Sequence, residues 1–339
     1  MVDVQVLTPR DVPLGGPRSM GVRRTLPARE RSVVGAWCFV DHYGPDDVAA
    51  TGGLDIAPHP HCGLATVSWL FEGEVEHRDS LGTYAVVRPG EVNLMTAGAG
   101  IAHSEVSTGA TSVLHGLQLW VVEPEATRHD APRFEHYAPP VVCPGEGVRA
   151  SVFLGELFGS ASPVTTSTPL LGAEVCLDAG ASVELDVPPG FEVAVLVDRG
   201  SVTYAGCALS VGQLGVVDAD ASEERDGSGE AEASAERDES GEAEASGRHT
   251  GLPLTAGDEG ARVVVLGGPP FEEEVVMWWN FIGRTHEEIV AAHQAWNWHQ
   301  PRFGYVHGYT PREHDGSWWI PAPEMPKVRL KTRGNRRRR

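Results

Sequence analysis

His59-Pro60-His61-Cys62-Gly63-Leu64-Ala65-Thr66-Val67-Ser68-Trp69-Leu70-Phe71-Glu72-Gly73 is the stretch whose reading decides the fold. Its second half is rich in β-branched and aromatic residues and ends on a Glu-Gly turn, which marks a short strand. Strand-like runs recur on both sides: Val33 to Val40 before it, Val92-Asn93-Leu94-Met95 and Val113 to Val122 after it. Turns at Gly44-Pro45, Leu81-Gly82, Pro89-Gly90 and Gly98-Ala99-Gly100 separate them. Many short strands at this spacing predict an all-β sandwich or barrel. The texture repeats later at Ala150–Leu154, Glu174–Leu177, Val193–Val197, Val202–Tyr204, Leu214–Val217 and Val263–Leu266, with turns at Pro188-Pro189-Gly190 and Arg199-Gly200. A second barrel of the same kind is therefore expected.

The first half of the quoted stretch carries chemistry. In a β-strand, residues i and i+2 point to the same face. His59 and His61 form one such pair, and His103 and Glu105 in His103-Ser104-Glu105 form another. Two strands can aim these three imidazoles and one carboxylate into one small volume. That donor set suits a divalent transition metal, with positions left open for water, O2 or a chelating substrate. It does not choose among Fe, Mn, Co, Ni and Cu. His42, His77, His115 and Gln118 are candidates for pocket or supporting roles. Gln118, Asp79 or a backbone carbonyl is a candidate acceptor for the second N–H of a metal-bound histidine. Between His136 and His249 there is no histidine, so the second barrel cannot build a similar site and is expected to be structural or a partner surface.

The remaining segments are less regular. Residues 1–30 read as an extended arm, because Pro13, Gly15, Gly16, Pro17 and Pro27 interrupt any regular element. Residues 218–246 carry twelve acids against two arginines, including a near-repeat of Glu224–Ser234 as Glu236–Ser246. With no aromatic or bulky aliphatic residue, that repeat cannot bury enough surface to offset ordering. It reads as a disordered acidic insert, 218–250. Near the C-terminus, Thr285 and Glu288 form a capping box ahead of Ile289, Val290, His293 and Trp296 at helical spacing. Six of nine tryptophans lie at or after residue 278. They read as packing of the tail onto a barrel, with a substrate-covering role as the alternative. Residues 327–339 carry eight bases and no acid and read as a basic disordered tail. The expected order is thus arm 1–30, metal-binding barrel 31–140, second barrel 141–275, helix and Trp-rich segment 276–326, and tail 327–339.

Composition excludes several classes. A net charge of −20 argues against general nucleic-acid binding, which needs a basic face. The Arg336–Arg339 run reads as a solvated end, able to touch an acidic surface or the acidic insert. Five scattered cysteines without a C-x-x-C argue for a reducing compartment. No secretory signal and no apolar run of about 18 residues is seen, so a cytoplasmic protein without a membrane span is expected.

The blocks His59–Gly63, Thr66–Leu70 and Glu72-Gly73, then Met95–Glu105 and His115–Trp120, occur in an order and spacing that resembles the pirin family of the cupin superfamily. The likeness is strong over roughly residues 1–125 and looser around Gly267-Gly268-Pro269 and the later helix. It implies a bicupin, two tandem cupin-type β-barrels, with one mononuclear metal in the first, most often iron as Fe(II). It places the four ligands on His59, His61, His103 and Glu105. A generic cupin sets its glutamate a few residues after His-x-His, where this chain has Ala65 and Thr66. The position after His-Pro-His, commonly Arg in vertebrate members, is Cys62 here. The resemblance further implies a quercetinase-type dioxygenase, opening a flavonol or a similar chelating enol or catechol with O2 and releasing CO, with Glu105 as proton acceptor. The alternative it offers is a non-catalytic, iron- or redox-sensing regulator that binds a protein partner.

Overall fold

The computed structural model describes residues 2–14, 20–219, 250–311 and 318–335. Most of the acidic insert and the Arg336–Arg339 run lie outside them. The described chain is nearly all β, with two α-helices, Val48–Thr51 and His286–Asn297. No described helix is long and apolar enough to cross a membrane.

The N-terminal half is built from two antiparallel sheets. One runs in the order Arg133–Tyr137, Val92–Thr96, Leu64–Glu72, Val113–Val122, Trp37–Asp47, Met20–Leu26, Arg10–Leu14. The other runs Asp55–His61, Ile101–Ser107, Val75–Asp79, Tyr84–Val87. The C-terminal half is a nine-stranded sheet centred on Glu192–Tyr204 and Thr250–Gly268. The Arg199-Gly200 turn expected from sequence is instead a register shift inside the 13-residue Glu192–Tyr204 strand, with Gly200 at φ 74°. A bulge bends a strand without ending it.

Period-two alternation explains how the larger N-terminal sheet serves two faces. Ala65, Val67 and Trp69, with Leu117, Leu119 and Val121, join a core shared with Phe153, Leu154, Leu196, Val264 and Leu266 of the C-terminal half. Their neighbours Ser68, Gln118 and Trp120 belong to the opposite face, where Gln118 and Trp120 line a cavity. Both faces are covered, so Leu64–Leu70 is one continuous buried run. Trp69 stacks on Phe153 (4.6 Å between centroids) and donates its indole N–H to Glu174 at 2.7 Å. A tryptophan so placed is worth about 3–5 kcal/mol against alanine. At the same junction Gly35 (φ 50°) lies so close to Gly268 that a Cβ would sit 2.8 Å from its Cα. Only glycine permits that approach.

Two expectations are corrected. Residues 1–30 are not an arm free of regular structure. Val4–Leu7 pairs with Leu214–Val217 in the C-terminal half, and Arg10–Leu14 and Met20–Leu26 extend the N-terminal sheet. Pro13 is tolerated because Arg10–Leu14 is the edge strand, which needs no outward N–H. The tail is not disordered throughout 327–339 either. Arg333 and Val275 exchange backbone hydrogen bonds of 2.7 and 2.9 Å, and the Asn335 amide bonds the backbone of Ser32 and Val33. The helix expected after Thr285 forms. The Thr285 hydroxyl accepts the Glu288 N–H at 3.2 Å, while the Glu288 carboxylate reaches Arg284 N and Arg128.

Candidate metal centre

Three of the four expected ligands converge. The Asp55–His61 and Ile101–Ser107 strands pair antiparallel, with His103 opposite His59 and Ile101 opposite His61. One ligand atom from each of His59, His61 and His103 lies within 4.8 Å of the others. The three side chains are buried, at 5%, 2% and 1% exposure. Burial holds His59 down to about 4, and pushes His61 and His103 well below the ordinary imidazole range. All three are therefore neutral near pH 7, the form that binds a metal.

The neighbours decide which nitrogen of two histidines is free. His59 Nδ1 donates to the Ala57 carbonyl at 2.9 Å, leaving Nε2. His103 Nδ1 lies 3.4 Å from His77 Nδ1, and His77 Nε2 lies 3.4 Å from Asp79 Oδ2. Asp79 accepts the Leu81 and Thr83 N–H groups at 2.9 and 3.0 Å. Burial alone would raise Asp79, but His77 and Thr83 outweigh it and hold the carboxyl below its usual range. An ionised Asp79 accepts the His77 Nε2–H, so His77 Nδ1 is unprotonated and accepts from the His103 Nδ1–H. That leaves His103 Nε2 as a lone pair, and this atom is buried without a hydrogen-bond partner among the described residues. An orphaned buried nitrogen costs about 1–3 kcal/mol unless something meets it. Three neutral imidazoles facing one another around such an atom fit a divalent transition metal.

Glu105 is placed differently from the histidines. It lines the same cavity and is 5% exposed, but its carboxylate is not one of the mutually close ligand atoms. The strand pairing shifts register between His103 and Glu105. Ser68 Oγ lies 3.4 Å from Glu105 Oε1 and 3.1 Å from the Gln118 amide. With the amide NH2 turned toward Ser68, a chain Gln118 to Ser68 to Glu105 satisfies every member. Burial raises the Glu105 carboxyl, opposed by His77 and the Ser68 hydroxyl. Cys62 is an apolar core residue. It is buried among Ala102, Phe281 and Ile289, and burial pushes its thiol up to about 11.

The cavity measures about 570 Å³, and its walls come from distant parts of the chain. Arg24 and Phe39 come from the N-terminal strands, Trp120 from the central sheet, Trp278 and Trp279 from the C-terminal segment. Trp278 and Trp279 thus line the cavity as well as packing the tail. Trp279 holds φ 51° in the turn between Val276–Trp278 and Phe281–Gly283. That conformation costs a bulky side chain about 1–2 kcal/mol. Sequence reasoning missed Arg24, Phe39 and Arg333, whose residue types carry no ligand signal.

His42 and His115 are not beside the metal ligands. They meet Asp198 of the C-terminal half, each with Nε2 on the same carboxylate oxygen, at 2.7 and 2.6 Å. Arg262 Nε bonds the other oxygen at 2.6 Å, and Arg23 stands 3.1 Å from His42 Nε2. Burial alone would raise Asp198, but His115, His42 and Arg262 drive its carboxyl far below its usual range. His42 is lowered by burial, against the pull of Asp198. Two guanidinium groups this close oppose a cation, so the cluster reads as an ionic bolt between the halves.

Comparison with known proteins agrees with the geometry. A family model described as pirin matches residues 19–121, and one described as pirin C-terminal cupin domain matches residues 226–304. A Pseudomonas aeruginosa protein named "Putative quercetin 2,3-dioxygenase" is 39% identical over 301 residues, covering 89% of this chain and 86% of its own. A pirin-like protein of Caulobacter vibrioides is 32% identical over 286 residues, covering 81% and 87%. The crystal structure of quercetin 2,3-dioxygenase from Acinetobacter baumannii superposes with a TM-score of 0.81 at 32% identity over 98% of both chains. The bacterial pirin YhhW of Escherichia coli, crystallised with nickel(II), shares the fold at 19% identity and a TM-score of 0.56, covering 79% of this chain and all of its own. With matches to both pirin domain models and to relatives along most of its length, the chain belongs to the pirin family and is a bicupin.

Proposed function

We propose that the chain is a mononuclear-metal dioxygenase of quercetinase type, acting on a flavonol or a related chelating enol or catechol. The observation that carries this reading is the cavity of about 570 Å³ joining His59, His61 and Glu105 to aromatic walls. A cavity of that size accommodates a small planar ligand; a protein that only senses metal state has no need of one. The names of the P. aeruginosa and A. baumannii relatives point the same way.

His59, His61 and His103 would hold the metal with Glu105 as a fourth ligand, and Fe(II) is the expected ion, although the same donors accept Mn, Co, Ni or Cu. When bound, the metal supplies Lewis acidity toward the substrate enol and a redox centre for O2. The other roles fall to the chain. The His77–Asp79 pair fixes the His103 tautomer. Glu105 accepts the proton of the substrate hydroxyl, a task suited to a carboxylate whose affinity for protons burial has raised. Ser68 and Gln118 orient that carboxylate. The aromatic walls hold the substrate plane and exclude water. One flavonol and one O2 give one depside and one CO, a balance that needs no further reductant.

The test is O2 uptake and CO release by Fe(II)-loaded protein with quercetin. His103→Ala should abolish both. Glu105→Gln should lower the rate about 10²- to 10⁴-fold, the usual contribution of a positioned base. Full activity in Glu105→Gln would remove its role as proton acceptor. No uptake by wild-type protein carrying one metal per chain would remove the flavonol as substrate.

A further inference from the structure

The charges lining the cavity are arranged by depth. Among its described lining residues the charged side chains, histidines aside, are Arg24, Glu105 and Arg333. Glu105 is buried with the histidines, whereas Arg333 is exposed. The cavity therefore has a metal-ligand floor and a cationic mouth, in a chain whose net charge is −20.

The two arginines differ. Arg24 gives Nε and Nη2 to the buried carboxylate of Asp41, at 2.6 and 2.7 Å, so its charge is matched. Its guanidinium carbon lies 4.1 Å above the Phe39 ring, Phe39 stacks on Trp120 at 4.1 Å, and Trp120 meets the His61 ring at 5.2 Å. This stack runs beside the cavity from the floor outward and gives it an aromatic side, against which a planar aromatic can pack. Arg333, in contrast, has no carboxylate partner among the described residues. Its backbone is nevertheless fixed. It bridges Val275, Thr332 bonds Glu274 at 2.7 Å, and Asn335 ties the segment to Ser32 and Val33. A guanidinium on a pinned strand at the mouth of an aromatic cavity is placed to meet an anion, and its planar fork suits a carboxylate.

We propose that the substrate of this site is a planar aromatic molecule whose end remote from the metal ligands carries a carboxylate or equivalent anion, and that Arg333 recognises that group. The proposal rests on the cavity being the substrate site. It narrows the substrate from any chelating flavonol or enol to an anionic one. The ring system packs against the Phe39–Trp120 stack, the chelating oxygens face the histidines, and the anion reaches the mouth.

The test is binding, not turnover. A flavonol bearing a 4′-carboxylate and its methyl ester are titrated without O2 into the full-length metal-loaded chain, followed by quenching of tryptophan fluorescence. Wild type, Arg333→Gln and Arg333→Lys are compared at low and high salt. The acid is expected to bind about tenfold tighter than the ester in wild type. The ratio should collapse to about one in Arg333→Gln, be partly kept by Arg333→Lys, and shrink with salt. Equal binding of acid and ester by wild type, or the same ratio in Arg333→Gln, would overturn the proposal. So would binding of neither, which would also remove the cavity as the substrate site. Failure of O2 uptake beside an intact acid preference would instead count against the reaction and leave Arg333 in its role.

Discussion

Replacing His77 by Phe isolates the part of the site that touches no metal. His77 is buried, stacks on Phe134 at 4.8 Å between centroids, and bridges His103 to Asp79 through two contacts of 3.4 Å. Phenylalanine keeps the ring, the burial and the stack, and removes both nitrogens. The His103 Nδ1–H then loses its acceptor, so nothing holds Nε2 as the free lone pair. Loss of such an outer partner typically weakens metal binding 10- to 100-fold. Contacts of 3.4 Å are at the long end of hydrogen bonding, which puts the expectation at the low end: about tenfold, or about 1.4 kcal/mol. Competition of Co(II) between protein and a chromogenic chelator reads this directly. The variant leaves the buried His103 Nδ1–H and Asp79 Oδ2 without their long His77 contacts, so denaturant unfolding of the metal-free protein should show a modest loss, about 1–3 kcal/mol. A Co(II) affinity within twofold of wild type would refute the relay, and a tenfold loss accompanied by a large drop in folding stability would assign His77 to packing instead.

The metal-free protein should lose stability in acid. His59 is held at about 4 when folded against 6.5 when free, so the unfolded chain binds the extra proton between those values. Stability is therefore complete above about pH 6.5 and falls as pH drops toward 4, by roughly 3 kcal/mol from this residue; flat denaturant midpoints over that range would contradict the buried neutral imidazole. Asp198→Ala should cost about 3–5 kcal/mol of stability, because it strands Arg262 and two buried histidines, while Co(II) affinity at the His59 site is kept; a loss under 1 kcal/mol by denaturant titration would show the ionic bolt to be incidental.

The three-histidine cluster was legible because it obeys local rules. His59 and His61 are a two-residue repeat on one strand, and a period of two fixes their common face; Glu105 shares His103's strand, but its carboxylate stays outside the converging atoms. The Thr285 cap was legible for the same reason. The cavity was not. Its walls are set by which strands become neighbours, and Arg24, Trp120 and Arg333 stand far apart in sequence. Pro13 shows the same limit. A proline reads locally as a breaker, yet it sits in a strand whose outer edge happens to be free.

The C-terminal half illustrates how chemistry-bearing residues can be absent from a domain that still shapes the site. The lack of imidazoles between His136 and His249 leaves the described strands from Val141 to Gly268 without a histidine. It does not make the half independent of the first. Asp198 gathers His42 and His115, and these lie on the strands Trp37–Asp47 and Val113–Val122, which also carry Phe39, Gln118 and Trp120 of the cavity wall. The cavity face and the bolted face are thus shared by the same two strands. A carboxylate 156 residues from His42 gives no sequence signal of that pairing, because a lone Asp in an apolar strand reads equally as a bulge, an edge or a solvated turn. What distinguishes it is the convergence of two imidazoles and a guanidinium on one buried carboxylate, which appears only when the two halves are packed together.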